Sequence, residues 1–480
     1  MLLFRQNVRT TALVLFALDL LFFTGFDGAF FAALQSRSTI NHIDGLVPVL
    51  VMIIVITLTL TYAIGLYRRD SVTAPLTAMG RLPIAIGLGA AAEALIVLLV
   101  FSPIYPDEIM FHSLSRCFGL VMVTAGVSFC AGVAARGMFD LLLQRHWFHR
   151  SILVVGTGRR ASHLQQGMTT DTHRPTATLH FVPETILAGA DRSAGALNGD
   201  GLDRDTVLEP AGRSLERVAR DLGADEIVVA ADDRRGLPIK SLLECKIAGF
   251  PVLNYAAFVE RETGRIDLNW IELGWLAYSD GFRVRLIDTA LKRALDIVVG
   301  VLGLVLTLPV LLVAVICIRL ESPGPVFFRQ ERVTRGNKVF SLIKLRSMRQ
   351  DAERNGPQWA AERDNRVTRV GSFLRRTRID EIPQLINILA GDMSLVGPRP
   401  ERPVFIEQLA AGIDLYLERH VVKAGLTGWA QVNYPYGASI EDAKAKLEYD
   451  LYYIKNFTIL LDARILLQTL RIIFWPSGVR

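Results

Sequence analysis

The sequence predicts a three-part fold: a membrane α-helical bundle, an α/β Rossmann-like domain, and an α-rich mixed domain that carries a re-entrant membrane helix hairpin. Of the 480 residues, 51% are hydrophobic, with a mean hydropathy of +0.33. The apolar excess is concentrated in the first 145 residues and near residue 300. Between these regions, short β-rich runs alternate with helical stretches, which is typical of a parallel α/β domain. We therefore expect an integral membrane protein with soluble domains.

Residues 1–145 are predicted to form a four-helix transmembrane bundle. Apolar segments run over about 11–34, 46–67, 83–103 and 115–135, each near the ~20 residues that a helix needs to cross a bilayer. Arginines precede the first segment, separate the second from the third, and follow the fourth, while the alternate loops hold few basic residues. The positive-inside rule then places both ends of the bundle in the cytoplasm.

Residues 146–255 are expected to form the α/β domain. Its first strand runs into a turn in which Gly156 and Gly158 fit the G-x-G-x-x-G/A fingerprint of a dinucleotide pyrophosphate site. No clear acidic residue ends a second strand about 20 positions later, so the fingerprint is incomplete. Gly156 and Gly158 are candidates for cofactor binding on this motif alone. The alternative is a Rossmann-like spacer or oligomerisation domain.

Residues 256–287 are predicted to be a linker, and a second membrane feature follows it. The stretch 297–318 contains 22 residues and no charge, so its length would suffice to span a bilayer. However, Pro309 removes a backbone donor near its middle, and basic residues on both flanks favour the cytoplasm. A re-entrant helix over about 292–320, broken at Pro309, satisfies both conditions. A straight fifth crossing is the alternative.

The basic charge of the chain belongs to its C-terminal part. The net charge is +6, and residues 281–480 hold 29 Lys and Arg against 20 Asp and Glu. Such a surface attracts phosphorylated substrates, anionic lipid or nucleic acid, but no nucleic-acid motif is present, so no nucleic-acid partner is expected. The four cysteines form no CxxC or zinc spacing. One histidine follows residue 180, which argues against a His-dependent hydrolase or metalloprotease.

Two adjacent carboxylates, Asp380 and Glu381, stand among arginines ahead of an amphipathic helical pattern. Arg375 and Arg378 could hold a polyanion against a carboxylate that would otherwise repel it. Asp380 could attack phosphorus as a nucleophile through an acyl phosphate, and a helix N-terminus would favour its ionised form. Asp380 and Glu381 would also be the ligands of Mg²⁺, the expected cofactor. The alternative is a helix N-cap with an acidic first turn.

Two further basic motifs are candidates for phosphate binding. Residues 340–348 alternate like a strand that would project Lys344 and Arg346 from one face. The turn of Pro398 and Arg399 fixes an arginine on a stiff backbone, as phosphate recognition requires. The alternatives are a solvated strand edge for the first motif and a simple turn for the second.

Five motifs stand in order in the C-terminal region: Ser322–Gln330, Lys344–Met348, Arg375–Leu385, Leu395–Pro400 and Gly425–Asn433. With them, residues 288–480 resemble the catalytic domain of the bacterial sugar transferases. These are monotopic polyprenyl-phosphate hexose-1-phosphate transferases that start exopolysaccharide and O-antigen repeat units. The four-helix bundle and Rossmann-like domain ahead of the motifs are similar to those of the long members of this family.

The resemblance implies transfer of a hexose-1-phosphate from a UDP-sugar to undecaprenyl phosphate, with release of UMP and a requirement for Mg²⁺. Asp380 matches the nucleophile that forms a phosphosugar-enzyme intermediate, and Glu381 matches its dyad partner. Arg399 matches the phosphate-binding arginine of a Pro-Arg-Pro motif. Arg375 matches a basic position before the dyad, and Asp462 matches a C-terminal acid that lines the site.

The resemblance also implies a location and partners. Pro309 matches the hairpin break, although many members have Ser-Pro where this chain has Leu308 and Pro309. Many also have Arg-Pro where Lys423 and Ala424 stand here. These departures bear on the polar stabilisation of the break and on sugar choice. The implied location is the bacterial inner membrane, multi-pass, with the catalytic domain in the cytoplasm, contacts to membrane lipid, and a homo-oligomeric state.

Two other functions are compatible with parts of the sequence. A membrane-bound nucleotide-sugar dehydratase or epimerase would need a Tyr-x-x-x-Lys dyad, and none of the eleven tyrosines has a lysine four positions on. A non-catalytic scaffold of a polysaccharide export complex is the other alternative, against which the intact carboxylate dyad and its arginines count. The sequence does not identify the hexose, the polysaccharide pathway, or a ligand of the Rossmann-like domain.

Overall fold

The computed structural model describes residues 10–37, 46–101, 107–169, 177–183, 213–233, 235, 237–270, 276, 278–282, 285–349, 366–435, 437 and 439–474. The chain divides into two compact units, Met1–Glu262 and Thr263–Arg480. The second unit contains all of the residues predicted to bind substrate phosphate.

The first unit begins with apolar helices. They are α1 (Thr10–Arg37), α2 (Leu46–Ala63), the short α3 (Arg69–Thr73) and α4 (Pro75–Ala78), α5 (Leu82–Phe101) and α6 (Asp107–Gln144). Among the described residues, four helical stretches are long and apolar enough to cross a membrane: Thr11–Ala33, Pro75–Ile96, Phe118–Gln144 and Leu286–Glu321. The second predicted segment is represented by a shorter apolar helix, Pro48–Ala63.

A buried ion pair joins the first and last helices of this apolar region. Arg136 of α6 donates to Asp19 of α1 at 2.8 Å, and both side chains are almost fully buried. The Tyr67 hydroxyl donates to the same carboxylate at 2.6 Å. Charged groups in an apolar environment are costly unless they are paired, so the pairing explains how these two helices accommodate charged residues.

A small parallel sheet follows the apolar helices. Its strands are β1 (Arg150–Val155), β2 (Ala177–Val182), β3 (Glu226–Val229) and β4 (Val252–Asn254), in the order β2-β1-β3-β4. Four helices accompany them: α7 (Arg159–Thr169), α8 (Leu215–Asp221), α9 (Ile239–Ile247) and α10 (Tyr255–Thr263). The last four residues of β1 are buried, as expected for a strand within a parallel sheet. The sheet confirms the predicted strands.

The second unit contains a 36-residue helix, α11 (Leu286–Glu321), which is helical at every residue. Pro309 lies inside it, so the predicted break is not an interruption of the helix. A proline removes a single backbone donor and has a helix-compatible φ, so a helix can continue through it with a bend. Only 11% of the most apolar stretch of α11 is buried. Most of its surface is therefore available to another apolar environment.

The remaining elements form an α-rich mixed unit, as predicted. They are β5 (Phe327–Thr334), β6 (Lys338–Leu345), α12 (Arg369–Arg376), α13 (Gln384–Ala390), β7 (Ser394–Val396), α14 (Pro403–Gly412), β8 (Gly425–Thr427), α15 (Trp429–Asn433), α16 (Ile440–Lys455) and α17 (Ile459–Phe474). Strands β5 and β6 form an antiparallel hairpin, and β7 pairs with β8 in parallel. One apolar core includes Leu342, Ile388, Val396, Leu451 and Ile465.

Part of the predicted linker is packed on the second unit. The Ile266 amide donates to the Glu448 carbonyl at 3.1 Å, and the indole of Trp429 donates to the Gly264 carbonyl at 2.7 Å. Ile266 is fully buried. This segment is therefore a structural part of the second unit.

Candidate active site

The two predicted catalytic carboxylates lie in a 3₁₀ turn, Ile379–Glu381, between α12 and α13. Arg378, just before the turn, has a φ of 58°, the left-handed conformation that redirects the chain. Helix α13 begins only after Pro383, and no side chain caps its N-terminus. The N-cap interpretation of Asp380 and Glu381 is therefore wrong.

Glu381 is the meeting point of three cationic side chains. Its Oε1 accepts from Arg399 at 2.9 Å and from Lys344 at 3.2 Å, and it lies 3.7 Å from the Arg378 guanidinium. Burial alone raises the pKa of Glu381, but Arg399, Lys344 and Arg378 outweigh it and hold that pKa well below its ordinary range. Glu381 is thus an anion that draws together three groups able to bind phosphate.

Asp380 is buried, and its pKa is shifted in the opposite direction to that of Glu381. Only 7% of the residue is exposed, and its Oδ1 has no hydrogen-bond partner among the described residues. Burial, with a smaller effect of the Glu381 charge, raises the pKa of Asp380, while Lys344, Arg375 and Arg378 lower it. The expectation that a helix N-terminus favours the ionised form is wrong, because Asp380 precedes α13 in a separate turn and is desolvated.

Strand β6 holds Lys344 against the dyad through an asparagine of α13. The Asn387 side chain accepts from the Ile343 amide at 3.0 Å and donates to the Ser341 carbonyl at 2.8 Å. It therefore continues the hydrogen bonding of β6 much as another strand would. Because α13 directly follows the dyad, this link fixes the distance between Lys344 and Glu381.

Arg375 approaches Asp380 from the end of α12. Its Nε donates to the Ser347 hydroxyl at 2.8 Å, and its charge lowers the pKa of Asp380. Gly371 allows this close packing, since a Cβ at that position would collide with the Ser347 carbonyl. Arg375 and Arg378 are thus both brought to the dyad, as predicted from the sequence.

The loop that carries Arg399 is held through its backbone. Four consecutive carbonyl groups, of residues 398–401, each accept a hydrogen bond. The donors are, in that order, the Gly425 amide at 2.9 Å, Arg419 Nη2 at 3.0 Å, Arg332 Nη1 at 2.9 Å and the Val333 amide at 3.0 Å. Pro398 is buried. The arginine side chain therefore extends from a rigid base.

Two predicted site residues, Arg346 and Asp462, have described contacts with groups other than the dyad. Arg346 donates to the carbonyls of Ser322 and Pro323, both at 2.8 Å, so its described contacts hold the loop after α11. Strand β6 ends at Leu345, and the Arg346 amide just beyond it donates to the Val326 carbonyl at 2.8 Å. Asp462 is buried and accepts from Lys292 at 2.6 Å and from the Tyr453 hydroxyl at 2.8 Å.

Several residues that build the site were not predicted from the sequence. Asn387, Arg332 and Arg419 act on the dyad or on the Arg399 loop. A polar residue inside the otherwise apolar pattern of α13 is a signal that could have identified Asn387. Arg332 and Arg419 carry no comparable signal, because the carbonyls of the Arg399 loop that they hold are distant from them in the sequence.

The glycine turn of the α/β domain is occupied by a carboxylate of the protein itself. The carboxylate of Asp232 accepts from the amides of Arg159 at 2.7 Å and Arg160 at 3.0 Å, at the N-terminus of α7. A pyrophosphate would use these amides. A Cβ at Gly158 would collide with the Asp232 carboxylate, and one at Gly156 would collide with the backbone of Ala230. The structure thus gives both glycines a use other than cofactor binding.

This arrangement makes a prediction for the glycine turn. We expect Gly158→Ala to destabilise the protein by about 1–3 kcal/mol, because the new methyl group displaces Asp232. In an Asp232→Ala background, where the collision is absent, the same change should cost much less. Thermal unfolding of the unaltered protein, the two single variants and the double variant measures the difference. Equal losses in both backgrounds, with dinucleotide binding by the unaltered protein, would contradict this interpretation.

The dyad is compatible with a magnesium ion. Within the described residues, no group of three or more His, Cys, Asp or Glu is arranged to hold a metal. Mg²⁺ is commonly bound by one or two carboxylates together with substrate phosphates rather than by a complete protein cage. Asp380 offers a carboxylate oxygen without a hydrogen-bond partner among the described residues. The residues present therefore fit an ion that is completed by phosphate oxygens.

A buried carboxylate oxygen without a hydrogen-bond partner among the described residues, beside an anion that contacts three cations, is an arrangement suited to phosphoryl transfer. The chain belongs to the bacterial sugar transferase family, whose model matches residues 287–476. The matched residues cover the dyad, Lys344 and the Arg399 loop. The family predicted from the five sequence motifs is thereby confirmed.

Three relatives show the extent of the similarity. An Aeromonas hydrophila protein named UDP-N-acetylgalactosamine-undecaprenyl-phosphate N-acetylgalactosaminephosphotransferase is 42% identical over 268 residues, which cover 54% of this chain and 62% of the relative. The UDP-glucose:undecaprenyl-phosphate glucose-1-phosphate transferase of Escherichia coli K12 is 43% identical over 38% of this chain and 40% of its own. The exopolysaccharide production protein PSS of Rhizobium leguminosarum bv. phaseoli is 41% identical over 38% of this chain and 94% of its own.

Proposed function

We propose that this chain transfers a hexose-1-phosphate from a UDP-sugar to undecaprenyl phosphate, releases UMP, and so starts the assembly of a polysaccharide repeat unit. The observation that carries the proposal is the buried Oδ1 of Asp380, which has no hydrogen-bond partner among the described residues, beside Glu381, which contacts Lys344, Arg378 and Arg399. The Aeromonas and Escherichia relatives, both named as undecaprenyl-phosphate transferases, support the same reaction class.

The reaction would proceed in two displacements at one phosphorus. Asp380 attacks the phosphorus that bears the sugar, and the bond to the α-phosphate oxygen breaks, so UMP departs with the bond electrons. An oxygen of undecaprenyl phosphate then attacks the same phosphorus. The bond to Asp380 breaks, which gives the lipid diphosphate sugar and regenerates the carboxylate. Each displacement inverts the configuration at phosphorus. The leaving group is UMP in the first displacement and the Asp380 carboxylate in the second.

The cations would position the diphosphate and balance its charge. Arg399 and Lys344 donate to Glu381, and an incoming diphosphate would compete for the same donors, which are suited to phosphate oxygens. Mg²⁺ bound at Asp380 and Glu381 would neutralise further charge on the donor phosphates. Burial raises the pKa of Asp380, so the charge of these cations is needed to keep the nucleophile ionised.

The test of this function is a direct assay. Purified protein is given a panel of UDP-sugars with undecaprenyl phosphate and Mg²⁺, and UMP release is measured. Release that depends on both the sugar nucleotide and the lipid would support the proposal and identify the hexose. Absence of UMP with every donor would contradict it.

We also propose that α11 is re-entrant and that the second unit lies in the cytoplasm at the inner membrane. Gly300 and Gly303 lie against Leu389 and Leu385, where an added Cβ would come within 3.0 Å of either leucine. The other half of the helix packs its Ala314 and Ile318 against Leu345 and Leu374. Both halves therefore contact the same compact unit, which favours a helix whose two ends lie on one side of the membrane.

Reporter fusions test this topology. A reporter fused after Arg285, before α11, and another fused after Arg335, beyond it, should both give a cytoplasmic signal, because basic residues flank the helix on both sides. A periplasmic signal from the second fusion, with a cytoplasmic signal from the first, would show a straight crossing.

For the α/β part of the first unit, we propose a Rossmann-like domain that acts as a spacer or as an oligomerisation domain. The parallel sheet with order β2-β1-β3-β4 supports the fold assignment. The Asp232 carboxylate in its glycine turn argues for a structural use of that turn.

A further inference from the structure

Arg419 is a buried arginine whose contacts lead to the Arg399 loop. It lies in the 3₁₀ turn Tyr416–Val421 and is 5% exposed. Its Nη2 donates to the Arg399 carbonyl at 3.0 Å and to the Asp450 carboxylate at 2.8 Å, while its Nη1 donates to the Tyr416 hydroxyl at 2.6 Å. One guanidinium therefore connects α16 and a 3₁₀ turn to the residue that contacts Glu381.

These contacts are not those of an arginine optimised for stability alone. Its Nε is buried without a hydrogen-bond partner among the described residues, and an unmet buried donor costs free energy. Replacement of a buried ion pair by apolar residues is often neutral or stabilising. Departures from full hydrogen bonding tend to be found at functional sites. Asp450, its partner, is 2% exposed and lies on a different helix.

The backbone geometry explains what Arg419 adds. The carbonyls of Pro398, Pro400 and Glu401 are held by Gly425, Arg332 and Val333. The carbonyl of Arg399 itself is held by Arg419. This carbonyl belongs to the residue whose side chain reaches Glu381, so its direction sets the starting point of the catalytic arginine. A displacement of about 1 Å at a group that aligns substrate can cost on the order of 10²-fold in rate.

We propose that Arg419 and Asp450 are positioning residues that set Arg399 for the donor diphosphate. Asp450 orients the Arg419 guanidinium, and Arg419 fixes the Arg399 carbonyl, so the two act through Arg399 and not on the substrate. This inference rests on the proposed transferase function for its kinetic consequence, but its structural consequence is independent of any activity.

The experiment compares single and double variants of the full-length protein. Arg419→Gln should lower kcat/KM for the UDP-sugar by roughly 30-fold in the otherwise unaltered protein, and by less than about 3-fold in an Arg399→Ala background. Arg419→Lys, which keeps the positive charge and a single donor nitrogen, should recover part of the loss in kcat/KM. Arg261→Gln is the matched control. It removes a partly buried arginine that is paired with Glu226 at 2.6 Å in the first unit, and it should change kcat/KM by the same factor in both backgrounds.

Hydrogen exchange gives a readout that needs no turnover. The amides of Gly425 and Val333 donate to the carbonyls of Pro398 and Glu401, so their protection reports how firmly the loop is held. We expect Arg419→Gln and Asp450→Asn each to accelerate exchange at these two amides by roughly tenfold or more. Arg261→Gln should leave both unchanged. If Arg419→Gln does not fold, Asp450→Asn, which has nearly the same shape, answers the same question.

The outcomes separate the inference from the proposed function. Unchanged exchange at Gly425 and Val333 in Asp450→Asn would overturn the positioning role, as would equal kinetic losses from Arg419→Gln with and without Arg399. Faster exchange at these amides together with an absence of UMP release from the unaltered protein would uphold the positioning of Arg399 and remove the transferase proposal. Assays at pH 8 keep Asp450 ionised, since burial raises its pKa to about 6.

Discussion

Asp380→Asn should abolish UMP release, with a loss of at least about 10⁴-fold, while the protein still inserts in the membrane and folds. An amide lacks the charge and the nucleophilic oxygen needed to form an acyl phosphate, and removal of a catalytic nucleophile has effects of this order. Asn has almost the shape of Asp, and Asp380 Oδ1 has no hydrogen bond among the described residues to lose. UMP release and mass spectrometry of protein incubated with labelled donor measure the two consequences.

The control for this variant is Asp414→Asn, at an exposed aspartate of the same unit. It should keep full activity and still acquire the labelled phosphosugar. Turnover by Asp380→Asn near that of the unaltered protein, or a covalent adduct on another residue, would remove the nucleophile assignment.

Glu381→Gln should lower kcat/KM by about 10²–10³-fold, because it removes the anion that holds Lys344, Arg378 and Arg399 together. It should also move the acidic limb of the pH profile to lower pH. Asp380 must be ionised to attack, so activity is lost as the pH falls through its raised pKa. Burial is the main cause of that rise and the Glu381 charge the second; removing this charge lowers the pKa of Asp380.

The pH dependence of kcat/KM, measured for both proteins, checks the second prediction. Glu407→Gln, at an exposed glutamate of α14, should leave both the rate and the profile unchanged. An acidic limb that stays in place or moves to higher pH in Glu381→Gln would show that a group other than Asp380 controls it.

The sequence predicted those features that depend on local pattern. The strands of the α/β domain follow from short apolar runs, and the structure has the predicted parallel sheet in this domain. Lys344 and Arg399 were also predicted to act with the dyad, and both contact Glu381. Charge and composition suffice for such predictions because the cationic side chains of one basic domain are attracted to the same buried anion.

Long-range contacts could not be predicted in the same way. Asp232 lies more than 70 residues from the amides that it caps, and no periodicity connects the two. Arg346 was predicted to bind phosphate, and its described contacts are carbonyls of the loop after α11; a phosphate contact of Arg346 stays a prediction. Asp462 was predicted to line the site, and its described partners are Lys292 and Tyr453; a substrate contact of Asp462 stays a prediction.

The first turns of α11 have a consequence for any attempt to make this protein soluble. Lys292 donates to the Val396 carbonyl, Arg293 donates to the last carbonyls of α13, and Asp296 accepts from the Leu395 amide. Deleting α11 would remove these hydrogen bonds to α13, the helix that follows the dyad, and to β7, the strand that leads to Arg399. We therefore expect that a shortened form without α11 would not retain an ordered reaction centre.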